Sequence, residues 1–246
     1  MEIVSRDNET FKHLLRLIKK KYRRQFSQCI IEGEKVVNEH LTRATQVFTR
    51  KSKGCCVSCG VPDIVHNIKY YVLDDKLFDL VSSLENDQGV LAIVSIPAPT
   101  APTTPYLVLD TTGDTGNMGT LLRTAAAFGF NTIYCINCAD PYSQKTLRAA
   151  AATQFALNII ETTHTEFAAH FNTYLAHTTL YLAEAGGKTP QTDNSFGLVL
   201  GNEGQGINPT LKTLSHKIAS IPMQPTCESL NVAIAGAILM YELTKH

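Results

Sequence analysis

The sequence predicts an α/β protein with two domains, and three observations lead to this interpretation. Short apolar segments of strand length alternate with longer segments of helical periodicity along nearly the whole chain. This order is typical of a mostly parallel sheet that carries helices on both faces. Residues 96–105 contain four prolines and no charged residue, which is the composition of an extended linker. We therefore expect a smaller α/β domain over 1–96, a linker over 97–105 and a larger domain over 106–246.

The predicted first domain begins with an amphipathic helix. Apolar residues recur at helical spacing from Phe11 to Tyr22, and Asn8 stands before them as a suitable N-cap. A second helix is predicted to begin near Gly33, where a glycine follows a short apolar strand. The predicted strands of this domain are 28–31, 46–48, 70–73 and 90–94.

The predicted second domain alternates strands and helices more regularly. Its predicted strands are 106–110, 132–136, 155–159, 179–183, 197–200 and 217–221. Its predicted helices are 118–128, 143–151, 164–174 and 230–243. Loops rich in glycine or small residues follow the strands that end at 110, 200 and 221. Because ligands of parallel α/β sheets bind beyond the carboxyl ends of the strands, these loops predict one composite site.

Charge is distributed unevenly although the formal net charge is +0. Residues 1–53 hold 13 Lys and Arg against 6 Asp and Glu, and residues 54–246 hold 9 against 16. A basic segment on an acidic remainder favours a part that binds nucleic acid, and the alternative is a solvated helix face. The cations expected to contact nucleic acid are Lys19, Lys20, Arg23, Arg24 and Lys35.

The composition also indicates where in the cell the protein is expected and in which state its cysteines are expected. No apolar run reaches the roughly 18 residues of a membrane-spanning helix, and the N-terminus lacks the apolar core of a secretory signal, so a cytoplasmic location is expected. The 7 cysteines are an odd number, which disfavours a disulfide framework. Cys55, Cys56 and Cys59 form one cluster, and Cys135 and Cys138 form another. Such clusters can bind zinc, but reduced structural cysteines are the preferred interpretation and no metal is expected.

Several polar residues of these loops have side chains suited to chemistry. Arg123 follows Asn117 by six residues in an otherwise apolar helix, and its guanidinium can bind phosphate or a developing oxyanion. Glu203 lies in a glycine-rich turn, and Ser229 and Asn231 open the last helix. Each also has a plain structural explanation, as a surface cation, an exposed turn carboxylate or a helix N-cap. The glycines at 113, 116 and 119 have neither the P-loop nor the Rossmann spacing.

In combination, these residues resemble the three motifs of SpoU-type (TrmH-like) RNA ribose 2′-O-methyltransferases of the SPOUT superfamily. The matching segments are 117–123, 201–204, 221–223 and 229–233. Segment 139–148 is also similar to the family, with Gln144 where proline is common, and 31–37 resembles the N-terminal substrate-binding domain of many members. Two departures alter loops, since Thr115 replaces a common proline and 224–227 replaces a glycine-containing stretch.

The resemblance implies a trefoil knot in the C-terminal domain, within the mostly parallel sheet, and a homodimer whose active site lies at the subunit interface. It implies S-adenosylmethionine as methyl donor and methylation of a ribose 2′-hydroxyl, in ribosomal RNA rather than tRNA. A non-catalytic RNA-binding protein on the same scaffold is the alternative. A nucleotide-dependent oxidoreductase is disfavoured, because the Gly-x-Gly-x-x-Gly fingerprint after a strand is missing.

The resemblance also assigns roles to single residues. Arg123 is expected to hold the substrate and stabilise developing alkoxide charge. Asn117 and Ser229 are expected to orient it, and Glu203 and Asn231 to brace the site. The expected cofactor-binding residues, acting mainly through their backbone, are Leu182, Ala183, Gly201, Asn202, Gly206, Ile221, Met223 and Leu230. The basic residues of the N-terminal domain are expected to contact the RNA substrate.

Overall fold

The computed structural model describes residues 1–53, 68–190, 195–214, 217–226 and 228–245. Cys55, Cys56 and Cys59, for which the sequence left a zinc site open, lie outside the described residues. The chain divides into two compact units, and each is described by itself. The first unit comprises 1–97 and 142–152, and the second comprises 98–141 and 153–246. Segment 142–152 therefore groups with the first unit, although the sequence assigned it to the larger domain.

The helices and strands are numbered in chain order. The strands are β1 (Glu2–Ile3), β2 (Gln28–Glu32), β3 (Ala44–Arg50), β4 (Lys69–Leu73), β5 (Val90–Ser95), β6 (Tyr106–Asp110), β7 (Thr132–Ile136), β8 (Asn158–Thr162), β9 (Thr179–Lys188), β10 (Phe196–Leu200) and β11 (Lys217–Ala219). The helices are α1 (Glu9–Arg16), α2 (Lys20–Phe26), α3 (Glu34–Glu39), α4 (Asp75–Asp79), α5 (Thr115–Ala127), α6 (Gln144–Ala149), α7 (His164–His170), α8 (Pro209–Lys212) and α9 (Val232–Thr244). No helix in these described ranges has the length and apolarity that a membrane span requires.

The first unit contains a five-stranded mixed sheet in the order β1-β4-β3-β5-β2. Strand β5 pairs antiparallel with β2 and β3, and β4 pairs parallel with β1 and β3. The core forms where the apolar side of α1 packs on this sheet, and Phe11, Leu14 and Phe48 are fully buried there. The helical spacing of apolar residues that predicted α1 thus identifies the side of the helix that is buried against the sheet.

The predicted first helix is two helices, and the sequence was wrong on this point. Lys19 has an extended conformation, with φ −97° and ψ 132°, and ends the helical hydrogen bonding between α1 and α2. Arg23 is 6% exposed, and its Nη1 donates to the carbonyls of Leu17 and Ile18 at 2.6 and 2.7 Å. These carbonyls lie just after the end of α1, so a buried guanidinium satisfies them.

The second unit contains a six-stranded sheet in the order β11-β9-β10-β6-β7-β8, and every pair in it is parallel. All residues of β6, β7 and β10 are buried, as expected of strands covered on both faces. Helices α5 and α9 pack against each other. The predicted mostly parallel sheet with helices is therefore confirmed.

Two predicted elements of the second unit need correction. The strand predicted at 155–159 begins at Asn158, because Thr153–Ala156 form a 3-10 turn and the Asn158 N–H donates to the Asn131 carbonyl at 2.8 Å. Phe155 has the apolar character of a strand residue but is a buried residue of that turn. The helix predicted at 164–174 is α-helical only to His170 and continues as one π-type turn over Phe171–Leu175.

Candidate active site

Three loops meet beyond the carboxyl ends of β6, β10 and β11. The loops after β10 and β11 border two cavities of about 230 and 200 Å³, whose walls share Ala183, Glu184, Ser229, Leu230 and Ala235. One cavity extends along Ile221 and Met223 toward α9, and the other along the turn after β10. The three loops from which a composite site was predicted lie together at this edge of the sheet.

The buried carboxylate of Asp110 connects the end of β6 to His164 and to Asn208. Asp110, the last residue of β6, is 2% exposed. Its Oδ2 accepts from the Asn208 N–H, and its Oδ1 lies within hydrogen-bond distance of His164 Nε2, both at 2.7 Å. Thr111, at φ 59°, offers its carbonyl to Asn202 Nδ2 at 2.9 Å. The loops after β6 and β10 are therefore bonded to each other.

Asn202 determines the shape of the turn after β10. Its Oδ1 accepts from the N–H groups of Gly204 and Gln205 at 2.9 and 3.1 Å, and its backbone pairs with Gly206. Gly206 has φ +69°, and a Cβ at Gly201 would stand 2.6 Å from Gly206 C, so both positions require glycine. The Asn202 side chain therefore supports the cavity wall through the turn.

A chain of hydrogen bonds joins one residue from each of the three loops. Asn117 Nδ2 donates to Glu203 Oε1 at 2.7 Å, and Asn231 Nδ2 donates to Asn117 Oδ1 at 3.0 Å. Asn231 also caps α9 through its Oδ1, and Asp114 caps α5 by accepting from the Asn117 N–H. The structure thus brings together three of the five residues predicted to be catalytic, and two of them, Asn117 and Asn231, lie at helix N-termini.

The other two predicted catalytic residues lie differently. Ser229 contributes to the walls of both cavities. Arg123 is exposed on α5, and its guanidinium makes no hydrogen bond or ion pair with the described residues, so it is not part of the Glu203–Asn117–Asn231 chain within this subunit. The opposite face of α5 is fully buried, as at Leu121 and Leu122. Arg123 is therefore held on a fixed helix and points away from the core.

Most of the residues predicted to bind a cofactor line the two cavities. These residues are Ala183, Gly201, Asn202, Gly206, Ile221, Met223 and Leu230. Leu182 is 3% exposed and belongs to the sheet core, so its side chain does not line either cavity. Sequence reasoning missed Glu184, Glu228 and Ala235, which also line them. Glu184 follows Ala183 directly, but it lies inside β9, which continues to Lys188 beyond the predicted end at 183.

The second cysteine pair belongs to the same end of the sheet. Cys138 Sγ donates to the Leu109 carbonyl at 3.2 Å, and Cys135 is buried in β7. The hydrogen bond from Cys135, which outweighs the opposing effect of burial, lowers the pKa of Cys138. Across the parts of the chain that the structure describes, no three or more His, Cys, Asp or Glu side chains are grouped as metal ligands.

The predicted RNA-contacting cations lie in the first unit, and Arg23 is the exception among them. Lys19 and Arg24 are exposed, Lys20 is half-buried, and the Lys35 side chain is 86% exposed. Arg23 instead has a structural role, because its guanidinium is buried and donates to the Leu17 and Ile18 carbonyls after α1. The prediction that Arg23 contacts RNA is therefore corrected.

Comparison with known proteins relates both units to RNA-modifying enzymes. Residues 104–241 match the SpoU rRNA Methylase family, and residues 8–92 match the MRM3-like substrate binding domain. The chain is 30% identical over 248 residues to the 23S rRNA (guanosine(2553)-2′-O)-methyltransferase RlmP of Bacillus subtilis, covering 98% of each protein.

Solved structures show the same likeness. An AdoMet-bound rRNA methyltransferase from Sinorhizobium meliloti is 25% identical with a TM-score of 0.83, covering 98% of this chain and 96% of that one. The SpoU methyltransferase AviRb from Streptomyces viridochromogenes, also in complex with AdoMet, is 20% identical with a TM-score of 0.81 and covers 96% of each chain. Because AviRb is 20% identical to this chain, its similarity shows a shared fold and no more.

Proposed function

The chain belongs to the SpoU rRNA Methylase family, and we propose that it transfers a methyl group from S-adenosylmethionine to a ribose 2′-hydroxyl of ribosomal RNA. The observation that carries this proposal is the hydrogen-bond chain Glu203–Asn117–Asn231, which joins three motifs beside a two-part cavity. The named activity of the 30% identical relative supports ribosomal RNA over tRNA as substrate.

The cavity walls fit the proposed cofactor in their chemistry. Apolar side chains such as Ile221 and Leu239 suit a planar base, and carboxylates of Glu184, Glu203 and Glu228 suit a molecule that carries positive charge. When bound, S-adenosylmethionine supplies an electrophilic methyl group on a sulfonium. The turn braced by Asn202 and the residues around Leu230 would hold it, with much of the contact made by backbone.

Arg123 acts as a clamp and a stabiliser of charge in this proposal. A guanidinium stays protonated at any physiological pH, so it does not serve as the base. Its planar fork can bind a substrate phosphate and stabilise negative charge that develops on the ribose oxygen. Its exposed position on α5 leaves it accessible to RNA. Asn117, Glu203, Asn231 and Ser229 fix the loops that position the nucleotide.

The active protein is proposed to be a homodimer with a trefoil knot in its C-terminal domain. Ile234, Ile238 and Tyr241 are 52%, 37% and 53% exposed and recur at helical spacing on α9, so they form one apolar face. A second copy of this face would cover it. Support for the knot comes from the match of 104–241 to the SpoU rRNA Methylase family.

The first domain, 1–96, is proposed to bind the RNA substrate, followed by the linker 97–105 and the catalytic domain 106–246. Its match to a substrate binding domain and its excess of cations support this role. The cytoplasmic location stays a prediction from the sequence.

Calorimetry with S-adenosylhomocysteine, the demethylated product of the cofactor, tests the proposed cofactor site. Saturable binding is expected at one site per chain. Binding of a nicotinamide dinucleotide with no binding of S-adenosylhomocysteine would contradict the proposal. Gly201→Val is the matched variant, because any Cβ there collides with Gly206, and it should abolish the binding.

A further inference from the structure

A third cavity is lined only by residues of the first unit and shares no residue with the site described above. Its volume is about 220 Å³, and it opens between β2, α3, the segment 83–88 and α6. The walls are apolar at Ile30, Val36, Leu84 and Leu147. Polar side chains stand among them, and these are Glu32, Lys35, Ser83, Gln88, Gln144 and Arg148. An apolar cavity with a polar and basic rim is the usual form of a small-molecule or nucleotide site.

Hydrogen bonds hold the rim of this cavity in place. Glu32 accepts from the Ser83 N–H and from Ser83 Oγ, both at 3.0 Å, and also from Ser82 Oγ. Arg148 Nη1 donates to the Ser83 carbonyl at 3.1 Å and to Ser83 Oγ at 3.2 Å. The carboxylate is thus already paired with donors, while Nε and Nη2 of Arg148 make no hydrogen bond to the described residues. Nε and Nη2 of Arg148 are therefore hydrogen-bond donors at the rim that an anion can accept from.

The loop between β2 and α3 adds a second cation. Gly33 has φ +102°, and the following N–H, of Glu34, donates to Gln88 Oε1 at 2.8 Å. This turn presents Lys35 at the mouth of the cavity, with its side chain 86% exposed and 3.9 Å from Glu39. Two cations at the rim and an apolar interior suit a ligand with a flat, weakly polar part and flanking negative charge.

We propose that this cavity receives one unpaired base of the RNA substrate, while Lys35 and Arg148 bind the phosphates on either side of it. The inference rests on the proposed RNA substrate of the enzyme. An unpaired base enters a pocket without breaking a base pair, whereas a paired base must first be separated from its partner, so the cavity favours single-stranded loops. It would fix the register of the RNA on the first unit, apart from the methyl-transfer site.

Nuclear magnetic resonance of the full chain with labelled Ile, Leu and Val methyl groups tests this inference. The probes are a six-nucleotide single-stranded RNA of mixed sequence, a duplex RNA of the same length, and ribose 5-phosphate. The single strand should shift the methyl signals of Ile30, Val36, Leu84 and Leu147, and the duplex and the sugar phosphate should leave them in place. Equal shifts with the duplex, or RNA binding without shifts at these methyls, would overturn the proposal.

Two pairs of variants complete the test, with affinity for the same single strand as the readout. Val36→Trp fills the cavity and should weaken binding roughly tenfold, in line with the energy of one bound base, whereas Asn38→Trp on the exposed side of α3 should not. Arg148→Ala should weaken binding, whereas Lys145→Ala removes the same charge from exposed α6 surface without that effect. Equal losses of RNA affinity within a pair would show that binding does not depend on this cavity, and would overturn the proposal. No cofactor is present, so the result does not depend on methyl-transfer activity.

Discussion

At the scale of single residues, the site depends on polar side chains that hold loops. Asn117, Asn202 and Asn231 each bond to backbone or to another polar side chain from a different part of the chain. Asparagine suits these positions because one side chain both donates and accepts. Asp110 has a similar role. Its two oxygens accept hydrogen bonds from Thr111 Oγ1 and the Asn208 N–H, and they lie within hydrogen-bond distance of His164 Nε2.

Arg123→Ala should lose most methyl transfer while it keeps the fold and the affinity for S-adenosylhomocysteine. The guanidinium is exposed and makes no hydrogen bond or ion pair with the described residues, so its removal leaves no buried group unpaired. Loss of one such donor to transition-state charge costs on the order of 100- to 1000-fold in rate. Arg123→Lys should recover little, because an ammonium lacks the planar fork. Single-turnover methylation measures this, and a near-normal rate in the Ala variant would move the chemistry to Ser229, Asn231 or Glu203.

Asn202→Ala should weaken cofactor binding by loosening the turn after β10. The variant removes acceptors for two N–H groups and the donor to the Thr111 carbonyl, and each such bond contributes about 1 kcal/mol. We therefore expect S-adenosylhomocysteine affinity to fall by at least about tenfold, as measured by calorimetry. Gln205→Ala in the same turn is the control, and an equal loss there would contradict this role for Asn202.

At the scale of secondary structure elements, the break between α1 and α2 places a cation in the interior. The guanidinium of Arg23 replaces the hydrogen bonds that a continuous helix would have given to the Leu17 and Ile18 carbonyls. The sequence contains no proline or glycine between 16 and 20, so no local signal marked the break. This is why helical periodicity alone extended the predicted helix to Tyr22.

Arg23→Met should lower the melting temperature and leave the RNA affinity of the folded protein nearly unchanged. Methionine keeps the aliphatic packing but removes the donor to the buried Leu17 carbonyl and to the partly buried Ile18 carbonyl, at a cost of about 1–3 kcal/mol for the buried one. Arg24→Ala, at an exposed position, should show the reverse pattern, with a normal melting temperature and weaker RNA binding. Thermal unfolding by circular dichroism and a filter-binding assay separate the two, and unchanged stability of the Met variant would refute the capping role.

The sequence predicted the second unit better than the first. Strands such as β6, β7 and β10 are buried on both faces, so their runs of apolar residues are unambiguous. Glycines and polar residues at strand ends located the composite site. Contacts between distant residues, such as Asn117 with Glu203, were not predictable from spacing, because pairing over 86 positions depends on the final topology. The shift of β8 to Asn158 likewise depends on its partner strand.

At the scale of the whole molecule, α9 should mediate dimer formation. Light scattering should give twice the 27.0 kDa chain mass at micromolar concentration. Replacing Ile234 and Tyr241 by Asp should yield the monomer, because two charges would be buried at the interface. Ile218→Asp is the control, since this residue is 45% exposed on β11. A monomeric parent chain would contradict the proposed assembly.

The basic surface of the first domain should make RNA binding depend steeply on salt. Replacing Lys19, Lys20, Lys21 and Arg24 by Ala removes up to four phosphate contacts, so the slope of log K against log salt should become shallower by about 3 for a single strand. S-adenosylhomocysteine binding should be unaffected. An unchanged slope would identify this surface as a solvated helix face.

The most direct test of the account is to identify the methylated atom. The purified protein is incubated with isotopically labelled S-adenosylmethionine and ribosomal RNA from cells that lack the gene, and the digested nucleosides are resolved by mass spectrometry. The account predicts label on the ribose 2′-oxygen of a single nucleotide, lost in Arg123→Ala. Label on a base, or none in ribosomal RNA under conditions where S-adenosylhomocysteine binds, would contradict it.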